Sequence, residues 1–386
     1  MNKTVYLDNS ATTRISPEVT ALMRQVMTDS FGNPSSLHRL GLEAERVLHT
    51  ARRILAGACG AREEEIIFTS GGTESNNLAL KGAALRRVRR GRHLVTTKIE
   101  HASVLQVCRA LEKQGYTVTF LDVNSCGLVD PEQVKAALRP DTVLVSVMHV
   151  NNEVGAVQPV AEIGRVVKAR HSGIIFHVDA VQSLGKLPVH PAVWHADLVS
   201  FSAHKIHGPK GTGALFCREG LELEPLFYGG GQEKGVRPGT ENLAGIAGFG
   251  AAARLAELNR EKTLAVVTGL RQHFVQGILT QIPGTAINGP DAAAPHIISV
   301  FFSGLKGEVL LHALEERGIY VSTGSACHSR RPQPSHVLLA MGLPEKDIAS
   351  TLRFSLSAEN TAEEIDYTLE QLTEVVAGLR TLRGRR

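Results

Sequence analysis

No C-x-x-C pair joins Cys59, Cys108, Cys126, Cys217 and Cys327, so neither a zinc knuckle nor a thioredoxin-type motif is encoded and no metal site is expected. An odd number of thiols fits free cysteines in a reducing compartment better than a disulfide framework. No apolar run is long enough to span a bilayer, and the N-terminus has no signal-peptide core. A cytoplasmic protein with no membrane partner is therefore expected. Repeats and low-complexity segments are missing too. So is a strong charge bias: the net charge is +4 over 386 residues, which argues against nucleic acid as a partner. The short basic clusters at 86–90 and 380–386 fall at expected helix ends, where cations complement the helix dipole. Neither G-x-G-x-x-G nor a Walker lysine occurs, which weighs against a nucleotide enzyme.

What remains is an ordinary globular composition, 43% apolar and 21% charged. Short β-rich runs at 65–70, 93–97, 117–123, 142–150, 174–178, 198–202 and 213–218 alternate with helical patterns at 74–90, 103–114 and 160–170. That order predicts an α/β domain with a mostly parallel central sheet, whose ligands bind beyond the carboxyl ends of the strands. From about residue 255 the pattern changes to long helices, with strands near 297–302 and 352–357, which predicts a smaller α+β domain. The expected division is 13–255 for the large domain, with 1–12 and 256–386 in the small one. A helical stretch over 243–271 joins them. The first dozen residues read as a short strand and turn able to pack on either part.

The chemistry-bearing residues cluster at the predicted strand ends. Lys205 follows Ser202-Ala203-His204 directly after a strand, where burial would lower its pKa and make it a nucleophile towards aldehydes. Such a lysine suits pyridoxal 5'-phosphate. The loop Thr69-Ser70-Gly71-Gly72-Thr73-Glu74 joins a strand to a helix and brings backbone amides and a hydroxyl to an anion. Asp179 ends an apolar strand, where a carboxylate needs a cation such as a protonated pyridine nitrogen, although capping of the next turn is an equal alternative. Gln182 follows three residues later, within reach of a ring oxygen or simply on the surface. His101 lies where an imidazole can stack on a flat cofactor, and Asn151-Asn152-Glu153 ends another strand or forms a turn.

Together these residues resemble the class V aminotransferases, fold-type I enzymes that use pyridoxal phosphate, and within them the cysteine desulfurases of the NifS/IscS type. The matching stretches run from Tyr6-Leu7-Asp8-Asn9 through Gly324-Ser325-Ala326-Cys327 to Leu352-Arg353-Phe354-Ser355. The resemblance implies that Lys205 carries the cofactor covalently. Gly72, Thr73, Ser202 and His204 would hold its phosphate, and Thr240 would reach the cofactor of a partner subunit in a homodimer. Asp179 would face the pyridine nitrogen and Gln182 the phenolic oxygen. His101 would stack on the ring and handle the substrate's thiol proton, and Asn152 and Arg353 would bind the substrate carboxylate. Cys327 would take sulfur from L-cysteine as a persulfide, leaving alanine, for an acceptor such as an iron–sulfur scaffold, a tRNA-thiolation enzyme or a cofactor-pathway protein. The segment after it departs from the family pattern by carrying His328, Arg330 and Arg331. A selenocysteine lyase, or a regulatory protein that keeps the fold without turnover, are the alternatives.

Overall fold

Strands, numbered in chain order, are β1 (Val5–Tyr6), β2 (Ile66–Thr69), β3 (His93–Thr97), β4 (Thr117–Leu121), β5 (Thr142–Met148), β6 (Ile175–Asp179) and β7 (Leu198–Ser202). They continue as β8 (Gly213–Cys217), β9 (Thr285–Asn288), β10 (Ile297–Phe302), β11 (Ile319–Tyr320), β12 (Ser322–Thr323) and β13 (Thr351–Ser355). The computed structural model describes residues 4–323 and 334–384.

The central sheet has the order β2-β8-β7-β6-β5-β3-β4. Apart from the edge strand β4, its members are buried along their whole length, as unalternating runs such as Thr-Val-Leu-Val-Ser-Val-Met require when helices cover both faces. One apolar layer joins Phe176, Phe201 and Val199 to helices Pro17–Asp29, Arg39–Ala58 and Leu243–Leu258. On the other face Leu94, Leu144 and Leu215 pack on Leu78, Leu80 and Val104. Each fully buried Leu or Phe contributes about 1.5–3 kcal/mol. The sheet is parallel except that β8 runs antiparallel to both β2 and β7. The ten residues at 203–212 are too few for the helical crossover that a parallel neighbour needs.

A second sheet, β12-β13-β10-β9, is antiparallel throughout and packs on helices Arg260–Gln281, Gly307–Glu315 and Ala362–Gly384. The N-terminal strand joins this part: β1 pairs with β11, Asp8 bridges to Ser355, and Val5 and Leu7 are fully buried in the same core. Two expected helices differ in detail. The pattern at 74–90 becomes a continuous helix over 72–86 with a π-helical segment at Leu78–Gly82. The stretch at 243–271 is two helices that meet at Asn259. No helix among the described residues is long and apolar enough to cross a membrane.

Candidate active site

The parallel strands β3, β5, β6 and β7 all end on one edge, and the predicted residues gather there. Lys205 sits in a single 3-10 turn immediately after β7. Its Nζ donates to the carbonyls of Ser10 (2.5 Å) and Ala11 (2.7 Å), so the N-terminal segment lies across the amine. Burial, reinforced by the Arg353 guanidinium and opposed by Asp8 and Asp179, pulls its pKa down to about 8. The amine is thereby prepared for the nucleophilic role its neighbours suggested.

Asp179 is buried at the end of β6. One carboxylate oxygen accepts from Val181 N (3.0 Å) and the other from Asn76 Nδ2 (2.7 Å). The capping alternative is thus true of one oxygen only. Among the described residues no cation lies within ion-pair distance of this carboxylate, although burying a bare charge is expensive. A protonated pyridine nitrogen meets that need.

The phosphate end is equally specific. Gly71 has φ +152°, a conformation that favours glycine, and a Cβ on Gly72 would lie 2.7 Å from Val181 Cγ2. Ser202 faces the same turn, and its buried Oγ has no hydrogen-bond partner among the described residues. An orphaned hydroxyl beside amides at the start of the 72–86 helix fits an anion. His204 shares a 3.2 Å contact between its Nδ1 and Thr12 Oγ1, and burial lowers its pKa to about 4, keeping the ring neutral. The residues present therefore fit pyridoxal phosphate at both its charged ends.

Gln182 Nε2 donates to Ser10 O (3.0 Å), the carbonyl that also receives Lys205. His101 caps the helix Ala102–Glu112 through Nδ1, which accepts from Ser103 N (3.2 Å). Its pKa is lowered by desolvation and by Lys205, against the opposing pull of Asp179. Arg353, buried on β13, donates Nη1 to Asn152 O (2.9 Å) and Nη2 to Asp8 Oδ1 (2.8 Å), while its buried Nε has no partner among the described residues. The structure thus brings Arg353 to Asn152 across the two sheets. Thr240 is exposed on the loop after β8, and no hydrogen bond among the described residues ties it to the other site residues. That loop is anchored instead by Arg237 to Glu74 (2.9 Å) and by half-buried Arg52 to buried Glu233 (2.6 Å). Cys327, with His328, Arg330 and Arg331, lies outside the described residues. Cys59, Cys108 and Cys217 are buried free thiols whose pKa values burial raises to about 12, as inert core cysteines should be.

Several residues that build this edge were not singled out from the sequence. Asn76 holds Asp179 and Asp8 orients Arg353, while Asn151, already marked with Asn152 at a strand end, accepts at Oδ1 from Glu153 N and Val154 N to shape the loop that carries Asn152. Glu100 Oε1 accepts from Met148 N and Thr97 Oγ1, and burial raises the carboxyl to about pKa 8. The sequence signal was present for Asn76 and Glu100, which neighbour the glycine turn and His101. Nothing local marked Asp8 as the partner of a residue 345 positions away.

The chain belongs to the class V aminotransferase family, and within it to the cysteine desulfurases, enzymes that use pyridoxal phosphate; the Aminotransferase class-V profile matches residues 5–368. It is 45% identical to a cysteine desulfurase IscS of Methanosarcina thermophila, over 99% of this chain and 94% of the relative. Among solved structures, a NifS-like protein superposes with a TM-score of 0.92 at 39% identity, covering 97% of this chain and all of that one. SspA in complex with cysteine gives 0.82 at 39% identity, over 92% and 99%.

Proposed function

We propose that this chain takes sulfur from free L-cysteine, releases alanine and holds the sulfur on Cys327 for transfer to an acceptor protein. The observation that carries the reading is the pairing of Lys205, its pKa lowered, with Asp179, a buried carboxylate with no cation at ion-pair distance among the described residues. The solved complex of the similar SspA with cysteine supports the substrate.

When bound, pyridoxal phosphate supplies an aldehyde for the substrate's amine and an electron sink for charge developing at Cα. Lys205 would anchor it covalently, and as a free amine near pKa 8 is suited to take the Cα proton. Asp179 would face the ring nitrogen, Gln182 the phenolic oxygen and His101 the ring face. Gly72, Thr73, Ser202 and His204 would hold the phosphate. Arg353 and Asn152 orient the substrate carboxylate, the guanidinium offering a planar fork already held by Asp8. The Cys327 thiolate then attacks the substrate sulfur: an S–S bond forms, the C–S bond breaks, and the carbon skeleton leaves as alanine after protonation. Exposed Thr240, with exposed Phe227 and Tyr228 on the preceding chain, supports a homodimer in which that loop completes the neighbouring site.

The test is a visible absorbance scan quenched by borohydride, followed by alanine and persulfide assays with L-cysteine. Cys327→Ala should keep the absorbance and lose protein-bound persulfide. Undiminished persulfide in that variant overturns the assignment.

A further inference from the structure

Four side chains form one unbroken hydrogen-bonded series from the floor of the site to its stacking histidine. Asn76 Nδ2 donates both of its hydrogens, one to Asp179 Oδ2 at 2.7 Å and one to Ser103 Oγ at 2.8 Å. Ser103 Oγ lies 2.8 Å from His101 Nδ1, and Ser103 N donates to that same nitrogen at 3.2 Å. Asn76 and Ser103 are buried, at 1% and 7% exposure, so water does not offer them alternatives.

The direction of each bond follows from donor and acceptor counting. A carboxylate only accepts, so the Asn76 amide must turn its NH2 group to Asp179; the flipped amide would set oxygen against oxygen. The second amide hydrogen then occupies Ser103 Oγ as an acceptor. The hydroxyl's own hydrogen is left with one acceptor in the series, His101 Nδ1. A proton on Nδ1 would face the Ser103 backbone N–H, which can only donate, and would turn the hydroxyl's hydrogen away from its acceptor in the series.

We propose that Asn76 and Ser103 are positioning residues that transmit the charge of Asp179 as bond polarity, fixing His101 as the neutral Nε2–H tautomer. His101 then meets the substrate as a hydrogen-bond donor at Nε2 and not as a base, because its other nitrogen is doubly occupied. This sharpens the expectation that His101 handles the substrate's thiol proton: that proton goes to a different acceptor. The pattern is that of a neutral imidazole used as an electrophile. Its relevance to the substrate rests on the desulfurase reading, whereas the tautomer does not.

Ring-15N-histidine NMR of the holoenzyme tests it, with the His101 signals assigned by their loss in His101→Gln. The expected result is an unprotonated Nδ1 and a protonated Nε2 near neutral pH. Removing the hydroxyl donor in Ser103→Ala should raise the His101 titration midpoint by about one pH unit. Ser103→Thr, which keeps the hydroxyl, should return the midpoint towards the original. The charged and titratable groups around the ring, Asp179 on β6, Lys205 after β7 and His336 on the helix His336–Ala340, are unchanged in both variants. A proton on Nδ1 in the unmodified protein, or identical midpoints in all three proteins, overturns the proposal. The spectrum reads the ring directly, so a protein without desulfurase activity would still decide it, and absent activity would fault the functional reading alone.

Discussion

Asp179 at the end of β6 and Asp197 just before its parallel neighbour β7 are buried carboxylates, and their charges are met in opposite ways. Asp197 precedes β7 at the amino edge of the sheet, where Arg218 Nε donates to Oδ1 (2.7 Å) and Phe176 N to Oδ2 (2.8 Å), with Lys168 Nζ also on Oδ2. Two cations and a backbone amide stitch β6, β7 and β8 together there. Asp179 ends β6 at the carboxyl edge and, among the described residues, receives only neutral donors. The sheet completes its electrostatics at one edge and leaves them incomplete at the other, so a buried acid informs about function through its partners and not through its burial.

Exchanging each acid for its amide separates these roles most sharply. Asp179→Asn should cost on the order of 10²–10³ in kcat, since it removes a preorganised charge from the site. Its effect on folding should be small, because the amide oxygen still accepts from one of the two donors. Asp197→Asn should leave activity per folded molecule unchanged and lower stability by about 2–3 kcal/mol. That is less than a fully buried pair would lose, because the Arg218 side chain is 53% exposed. Urea denaturation beside steady-state alanine formation reads both. Comparable losses of stability in the two variants would break the contrast.

Residues 93–97, 198–202, 160–170 and 297–302 fold with the bounds their patterns predicted, because runs buried on both faces and amphipathic stretches advertise themselves locally. The lysine, the aspartate and the glycine turn were legible for a related reason: each stands where an element changes type. What the sequence hid depends on distant pairing. Asn76 and Asn77 are adjacent and alike, yet one is buried on Asp179 while the other donates to Thr73 O one helical turn back. The segment Ser10–Thr13 reads as a surface turn until Lys205, Gln182 and His204 are seen bonded to it. Likewise β8 looks like one more parallel strand until the shortness of the chain before it is weighed.

Arg353 sharpens the comparison from the second sheet. Unlike Arg218, it spends its hydrogen bonds on one carboxylate and one carbonyl, while its buried Nε has no partner among the described residues. Arg353→Lys retains the charge but loses the fork, since one ammonium cannot serve Asp8, Asn152 and a bidentate substrate together. KM for L-cysteine should rise on the order of tenfold to a hundredfold, with kcat changed less. An equal fall in kcat at constant KM would show that Arg353 acts on the chemical step instead.

Lys168 and Lys205 are each set against one of these acids. Burial lowers the pKa of both, but Lys168 has Asp197 in direct contact to offset it, whereas Lys205 is capped by carbonyls and faces Arg353. In protein stripped of cofactor, Lys205 carries a folded pKa of about 8 against 10.5 when unfolded. Between those values the unfolded chain binds more protons, so this group makes stability rise with pH across that window and contributes a constant penalty below it. Lys205→Met removes the ionisation. The difference in unfolding free energy between variant and parent should therefore shrink as pH climbs from about 8 towards 10.5, and it should be level below about 7. A difference that is flat across the whole range would mean that the open edge of the sheet places no electrostatic load on its lysine.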